Sequence, residues 1–152
     1  MASPVEGVTL RHIQSNGITM RIAEAGQGNS GPLVLFAHGW PESWYSWRHQ
    51  LVALAAAGYR VVAPDMRGYG GTDAPELTED YDVITIAADL TGVLDALGEE
   101  TAVLVGHDWG AIVAWQTALL HPHRFSALVA VSVPYGGRPA RSPMEDWREA
   151  YG

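Results

Sequence analysis

A chain of 152 residues is long enough for one domain with a real apolar core, and 17 acidic against nine basic residues give a formal charge of −8. That balance argues against a surface built for polyanions. With no cysteine, disulfides, thiolate nucleophiles and cysteine-based zinc sites are excluded. The opening MASPVEG lacks the basic-then-apolar layout of a secretion signal, and no apolar run approaches bilayer-crossing length. The expectation is a cytoplasmic protein with neither a membrane nor a nucleic acid as partner.

Val8 to Gln14 and Ile18 to Ala25 flank Asn16-Gly17, a dipeptide suited to tight hairpin turns. A turn cluster, Gly26 to Pro32, leads into Leu33 to Gly39 (LVLFAHG), which reads as a buried strand. Ser43 is placed to cap a helix running to about Ala57, with Trp44, Trp47, Leu51 and Leu54 on one stripe and Gly58 stopping it. Tyr59 to Pro64 is the next strand. Asp82 caps a second helix whose apolar positions Val83, Ile86, Leu90, Val93, Leu94 and Leu97 follow the 3.6-residue period up to Gly98. Thr101 to Gly106 (TAVLVG) is a strand expected to be buried on both faces, and Trp109 to Leu120 reads as a helix. His121-Pro122 then breaks the chain before a strand at Ala127 to Val133. There are no repeats, low-complexity segments or internal linkers. The order predicts an α/β domain with an amino-terminal hairpin and a mostly parallel sheet flanked by helices.

Between the strand ending at Gly106 and the helix starting at Trp109 only a tight turn fits. Gly106 and Gly110 stand two positions either side of Asp108, the small-x-nucleophile-x-small spacing of a nucleophile elbow, with Asp in place of Ser. A carboxylate at a helix N-terminus is kept ionised by the dipole and free N–H groups, so it needs no base for activation. Aspartate attack points to alkyl-enzyme chemistry rather than ester hydrolysis. Taken alone, Asp108 reads equally well as a helix cap. The turn His38-Gly39-Trp40-Pro41 shifts that balance, because it lies at the same carboxyl end of the sheet, where open α/β sheets place their ligands. An oxyanion hole built from the residue after the nucleophile and the first loop would use the backbone N–H groups of Trp109 and Trp40.

Four segments together, HGWPESWYSWRHQ from His38, APDMRGYGGTDAP from Ala63, VGHDWGA from Val105 and SVPYGGR from Ser132, make the chain resemble the amino-terminal half of an epoxide hydrolase of the α/β-hydrolase superfamily. The resemblance implies a partial α/β-hydrolase fold, with residues 1–134 in the core domain and 135–152 beginning a cap-domain excursion. It implies Asp108 as nucleophile, the Trp40 and Trp109 amides as oxyanion donors, and a cis Trp40-Pro41 bond. It also implies a small epoxide and water as substrates, no metal and no cofactor, and it allows a homodimer. Two cap tyrosines, a late acid and the triad histidine have no matching position here. The chain is therefore expected to be a fragment that requires its missing carboxyl-terminal part. The apolar strand from Ala127 would then be an unpaired edge prone to aggregation.

The remaining chemistry-bearing residues have plainer readings. His38, Pro41 and His107 are assigned to pocket or structural support, since adjacent side chains at a strand end diverge and buried polar groups are usually paired. His12 and His49 read as surface or packing residues, and His121 with His123 suits a helix end better than a metal. Asp65 and Arg67 are expected to fix the loop from Pro64 to Gly71. Trp44, Trp47 and Trp115 sit at core spacings, Trp147 lies on an exposed tail, and Tyr135 and Tyr151 are loop-packing residues. Gly68-Tyr69-Gly70-Gly71 lacks the Lys and Ser/Thr of a phosphate loop. Haloalkane and haloacetate dehalogenases, which share an elbow aspartate, remain open alternatives, as does a noncatalytic module of the same fold. The SWYSWRHQ continuation after Trp40 favours the epoxide reading.

Overall fold

A computed structural model of the chain describes residues 3–136. Strands β1 (Thr9–Ser15) and β2 (Ile18–Ala25) form the hairpin, followed by β3 (Leu33–Ala37), α1 (Arg48–Ala56) and β4 (Arg60–Pro64). Then come α2 (Val83–Leu97), β5 (Ala102–His107), α3 (Trp109–Leu120) and β6 (Phe125–Val131). They build one six-stranded sheet in the order β1-β2-β4-β3-β5-β6, parallel from β4 to β6 and antiparallel around β2. Asn16 and Gly17 turn the hairpin with φ of 45° and 79°, the double positive φ that an Asn-Gly turn supplies.

Period-two alternation sends the side chains of the inner strands to two cores. Leu33, Leu35 and Leu104 pack with Leu90 and Leu94 of α2 and Val113 of α3 on one face. Val34, Phe36 and Val61 pack with Trp44, Trp47 and Leu51 on the other. Strand β3 is buried throughout, whereas β5 alternates buried with half-buried residues, so the expectation that both its faces are buried is corrected. The reason is placement: α1 lies over β2 and β4, which leaves Val103 and Val105 only partly covered.

Other boundaries move for identifiable reasons. The helix expected from Ser43 divides into a 3-10 turn at Trp44–Trp47, started by Ser43 Oγ accepting from the Tyr45 N–H, and then α1. Asp82 does cap α2, its Oδ1 accepting from the Ile84 and Thr85 N–H groups at 2.8 and 3.0 Å, and Gly98 ends the helix with φ 71°. Val83 is exposed rather than part of the apolar stripe. The last strand begins two residues earlier than expected, because Phe125 buries its ring, and it ends before Ser132 at φ 71°. Its Val129 and Val131 are exposed on the sheet edge. Trp115, expected in the core, is half-buried. Its Nε1 donates to the Val133 carbonyl at 3.2 Å and its ring meets Tyr135 at 5.1 Å, tying down the segment after β6. Most of 135–152, with Trp147 and Tyr151, lies outside the described residues.

Two fully buried carboxylates anchor the loops at the carboxyl ends of the strands. Asp65 accepts from the Trp44 and Gly71 N–H groups, both at 2.9 Å, and from Arg21 Nε at 2.7 Å. Asp89 of α2 takes the fork of Arg67 at 2.7 and 2.8 Å and a third bond from Asn16 Nδ2 at 2.9 Å. Asp65 and Arg67 thus hold their loop as expected, through separate partners. Removing one member of a buried pair strands the other charge, which typically costs about 3–5 kcal/mol. Asp89→Ala is therefore expected to lower unfolding free energy by about that amount in urea denaturation. A loss under about 1 kcal/mol, the scale of exposed pairs, would contradict this account.

Candidate active site

The elbow is set by close approach. Gly110 lies so near the end of β3 that a Cβ on it would sit 2.2 Å from the Ala37 carbonyl oxygen and 2.6 Å from that of His38. A Cβ on Gly106 would fall 2.4 Å from the Gly110 carbonyl oxygen. With both flanks reduced to backbone, the chain turns from β5 into α3 within one residue. That residue is Asp108, at φ 55° and ψ −125°, a region non-glycine residues rarely occupy and one that stores strain at functional sites. Its side chain makes no cap bond to α3, which removes the helix-cap reading, while its carbonyl starts the helix by accepting from the Ala111 N–H at 2.9 Å.

Freed from capping, the half-exposed carboxylate faces the first loop. The Trp40 N–H donates to Asp108 Oδ1 at 3.1 Å, and the Trp40-Pro41 bond is cis. The carboxyl is held below the ordinary aspartate value of 3.8, first by the Trp109 backbone N–H and then by that of Trp40, with a smaller contribution from the charge of His107; burial acts against them. The Trp40 amide thus bonds the carboxylate across the first loop, and the Trp109 amide at the start of α3 helps to hold its charge. The Trp40 and Trp109 side chains are 64% and 61% exposed, so they stand at the rim rather than in the core.

Neither neighbouring histidine has the geometry of a base acting on Asp108. His38 Nε2 accepts from the Met66 N–H at 2.9 Å, which leaves Nδ1 to carry the proton and donate to the Gly39 carbonyl at 2.8 Å. Burial lowers its pKa, so the ring stays neutral. It works as a brace between two loops. His107 is engaged by the first loop, its Nδ1 lying 3.5 Å from Glu42 Oε1, and Glu42 Oε2 in turn accepts from the Gly39 N–H at 3.1 Å. Pro41 continues the loop at the exposed rim. His49 and His123 are exposed, His121 is half-buried at the end of α3, and His12 Nε2 meets the Gly71 carbonyl at 3.2 Å. No group of three histidines and carboxylates able to hold a metal occurs among the described residues, nor does any helix there have the length and apolarity to cross a membrane.

Sequence reasoning left out part of the site wall. Met66, Tyr69, Tyr81, Ile86 and Val113 line a cleft of about 140 Å³ with His38, Trp109 and Gly110. Tyr69 packs at right angles to His38 with ring centroids 5.1 Å apart, and burial followed by the Asp108 charge pushes its phenol up. Tyr81 and Ile86 precede or begin α2, far from Asp108 along the chain, and no local pattern marks them as neighbours of the site.

The alpha/beta hydrolase fold family matches residues 32–152. Along its whole length the chain is 49% identical to epoxide hydrolase A of Mycobacterium tuberculosis, covering 46% of that protein. An epoxide hydrolase structure from Vigna radiata superposes with a TM-score of 0.85 at 47% identity, over 97% of this chain and 47% of that one. Epoxide hydrolase A from Mycobacterium thermoresistibile gives 0.86 at 50% identity, over 94% and 44%. The chain thus spans a little under half the length of the relatives it matches.

Two outcomes test the geometry. Because the amides favour the charged form, carbon-13 NMR of the Asp108 carboxyl is expected to show ionisation persisting below the ordinary 3.8. A midpoint above that value would remove the two-amide cradle. Gly110→Ala must displace backbone, and an overpacking cost of about 1–3 kcal/mol is expected in chemical denaturation; an unchanged midpoint would mean the approach to β3 is looser than described.

Proposed function

Since the chain belongs to the alpha/beta hydrolase fold family, we propose that the whole protein is an epoxide hydrolase that opens small epoxides to vicinal diols through an ester on Asp108. The observation carrying this reading is the Asp108 carboxylate, displayed at φ 55° with the Trp40 amide 3.1 Å from one oxygen. Similarity to epoxide hydrolases along the whole chain supports it. Because the chain covers under half of those relatives, the activity is assigned to the protein together with the rest of such a core and cap.

In the first step a carboxylate oxygen of Asp108 attacks an epoxide carbon from the side opposite its C–O bond. That bond breaks, its electron pair stays on the former ring oxygen, and an acid supplied by the rest of the protein protonates it. A glycol monoester remains on Asp108. In the second step water, deprotonated by a histidine outside this chain, attacks the ester carbonyl carbon of Asp108. The oxyanion forms on the aspartate's own oxygen, where the Trp40 and Trp109 N–H groups receive it. Collapse expels the diol oxygen, which takes the proton held by the histidine, and the Asp108 carboxyl releases its own proton to replace the one the acid gave in the first step, restoring a carboxylate one of whose oxygens derives from water. The amides serve both states: they keep the ground-state carboxylate ionised and later stabilise the tetrahedral charge.

Within this scheme His38 and Glu42 position the first loop, and neither exchanges protons with substrate. Residues 1–152 hold the nucleophile and oxyanion donors without the base that discharges the ester. Purified alone, they are expected to give no multiple turnover of an epoxide to diol. Steady diol production by them, lost in Asp108→Asn, would overturn this division of labour. For the protein expressed from its complete coding sequence, Asp108→Asn should abolish diol formation and the epoxide-dependent mass increment. Chloride release from haloalkanes without diol formation from epoxides would transfer the assignment to a dehalogenase.

A further inference from the structure

The Trp40 N–H that meets Asp108 shares its peptide unit with the Gly39 carbonyl, and that carbonyl is held in turn. His38 Nδ1 donates to it at 2.8 Å, while His38 Nε2 accepts from the Met66 N–H at 2.9 Å. The Met66 N–H shares a peptide unit with the Asp65 carbonyl. That carbonyl accepts from Thr72 Oγ1 at 2.7 Å, and Thr72 Oγ1 accepts from the Arg21 N–H at 2.9 Å. Every role in the series is forced, since an amide N–H only donates and a carbonyl only accepts. Five hydrogen bonds therefore run head to tail in one direction. They lead from Arg21 of β2 through Thr72, the Asp65-Met66 peptide, His38 and the Gly39-Trp40 peptide to Asp108 Oδ1. The Thr72, Asp65 and His38 side chains along this path are all buried.

We infer that this chain of hydrogen bonds makes Thr72 and His38 positioning residues for the oxyanion donor, orienting the Gly39-Trp40 peptide and strengthening its N–H toward Asp108. This rests on the reading of Asp108 as nucleophile and specifies how its cradle is tuned. A trans peptide is planar, so holding the Gly39 carbonyl also aims the N–H on its opposite side. The hold is needed because glycine lets the adjoining peptide plane rotate freely, and Gly39 lies directly against the nucleophile: a Cβ on it would sit 2.6 Å from the Asp108 Cβ. Each bond also polarises the next, by about 10–30% in condensed phase. Burial keeps the His38 ring neutral against the charges of Asp65 and Glu42, and only the neutral ring offers one acceptor and one donor. The two chemical steps respond differently. A weaker Trp40 N–H leaves the Asp108 carboxylate more basic, so ester formation does not suffer, whereas the tetrahedral oxyanion loses support.

The test uses the protein expressed from its complete coding sequence, with styrene oxide as substrate. Single-turnover quenching with intact-mass detection separates formation of the Asp108 ester from its discharge. Thr72→Val removes the hydroxyl at nearly constant shape. It is expected to slow discharge about tenfold, short of the hundredfold or more that outright loss of an oxyanion donor costs, without slowing ester formation. The carbon-13 titration midpoint of the Asp108 carboxyl should rise in the same variant. Thr72→Ser keeps the hydroxyl and should restore the discharge rate and the midpoint. In a cooperatively melting Thr72→Val, equal slowing of both steps, no slowing of discharge, or an unchanged midpoint would overturn the inference. Should that variant fail to fold, nitrogen-15 NMR of His38 in the parent decides. A proton on Nδ1 with Nε2 bare supports the chain, and a proton on Nε2 at neutral pH refutes it. If the parent neither opens the epoxide nor forms an ester, the epoxide reading fails separately. The chain is then judged by the His38 tautomer and by the Asp108 midpoint in Thr72→Val, either of which can refute it.

Discussion

The backbone contact between the start of α3 and the end of β3 underlies the rest of the site. Gly110 rests against the carbonyl groups of Ala37 and His38 with no room for a side chain, and this forces the whole reversal from strand to helix into Asp108. The aspartate's positive φ follows from that constraint, and so does the direction of its carboxylate, which points at the first loop instead of capping its own helix. A carboxylate there meets N–H groups from two chain segments. Its charge is stabilised by dipoles already in place, which is the preorganisation that a developing oxyanion also requires.

Such a cradle works only if the loop carrying Trp40 is as rigid as the elbow, and buried polar groups supply that rigidity. His38 links the first loop to Met66, and Glu42 closes the Gly39 turn on itself. Asp65 then ties the 3-10 turn at Trp44 to Gly71 and to Arg21 of the hairpin. Buried charges of this kind add little net stability against apolar replacements, yet they are costly to break singly. Here they join three loops that apolar packing alone would leave free to slide. Asp89 extends the same scheme, holding α2, and with it the Ile86 wall of the cleft, against the Arg67 loop.

Much of this was legible in the residues themselves. The Asn16-Gly17 hairpin, the Asp82 cap, the Gly98 stop and the alternation of strands with helices all depend on local chemistry: positive φ, capping oxygens and apolar period. The elbow was legible for the same reason, since Gly106 and Gly110 bracket Asp108 at fixed spacing. Misplaced features depended on distant neighbours. Whether both faces of β5 are covered is decided by where α1 lies, and whether Trp115 enters the core by the segment after β6.

By itself, then, the sequence determined the α/β order and the glycine-flanked aspartate, because each is encoded within a few residues. Only the tertiary structure decided that Asp108 forgoes the helix cap, that His38 has no free nitrogen, and that Asp65 and Asp89 partner Arg21 and Arg67. It alone brought Tyr69, Tyr81 and Ile86 into one cleft with Trp109 and Gly110. These depend on which loops meet at the carboxyl edge of the sheet, and strand order sets that meeting: β3 lies between β4 and β5, placing the first loop between the Arg67 loop and the elbow.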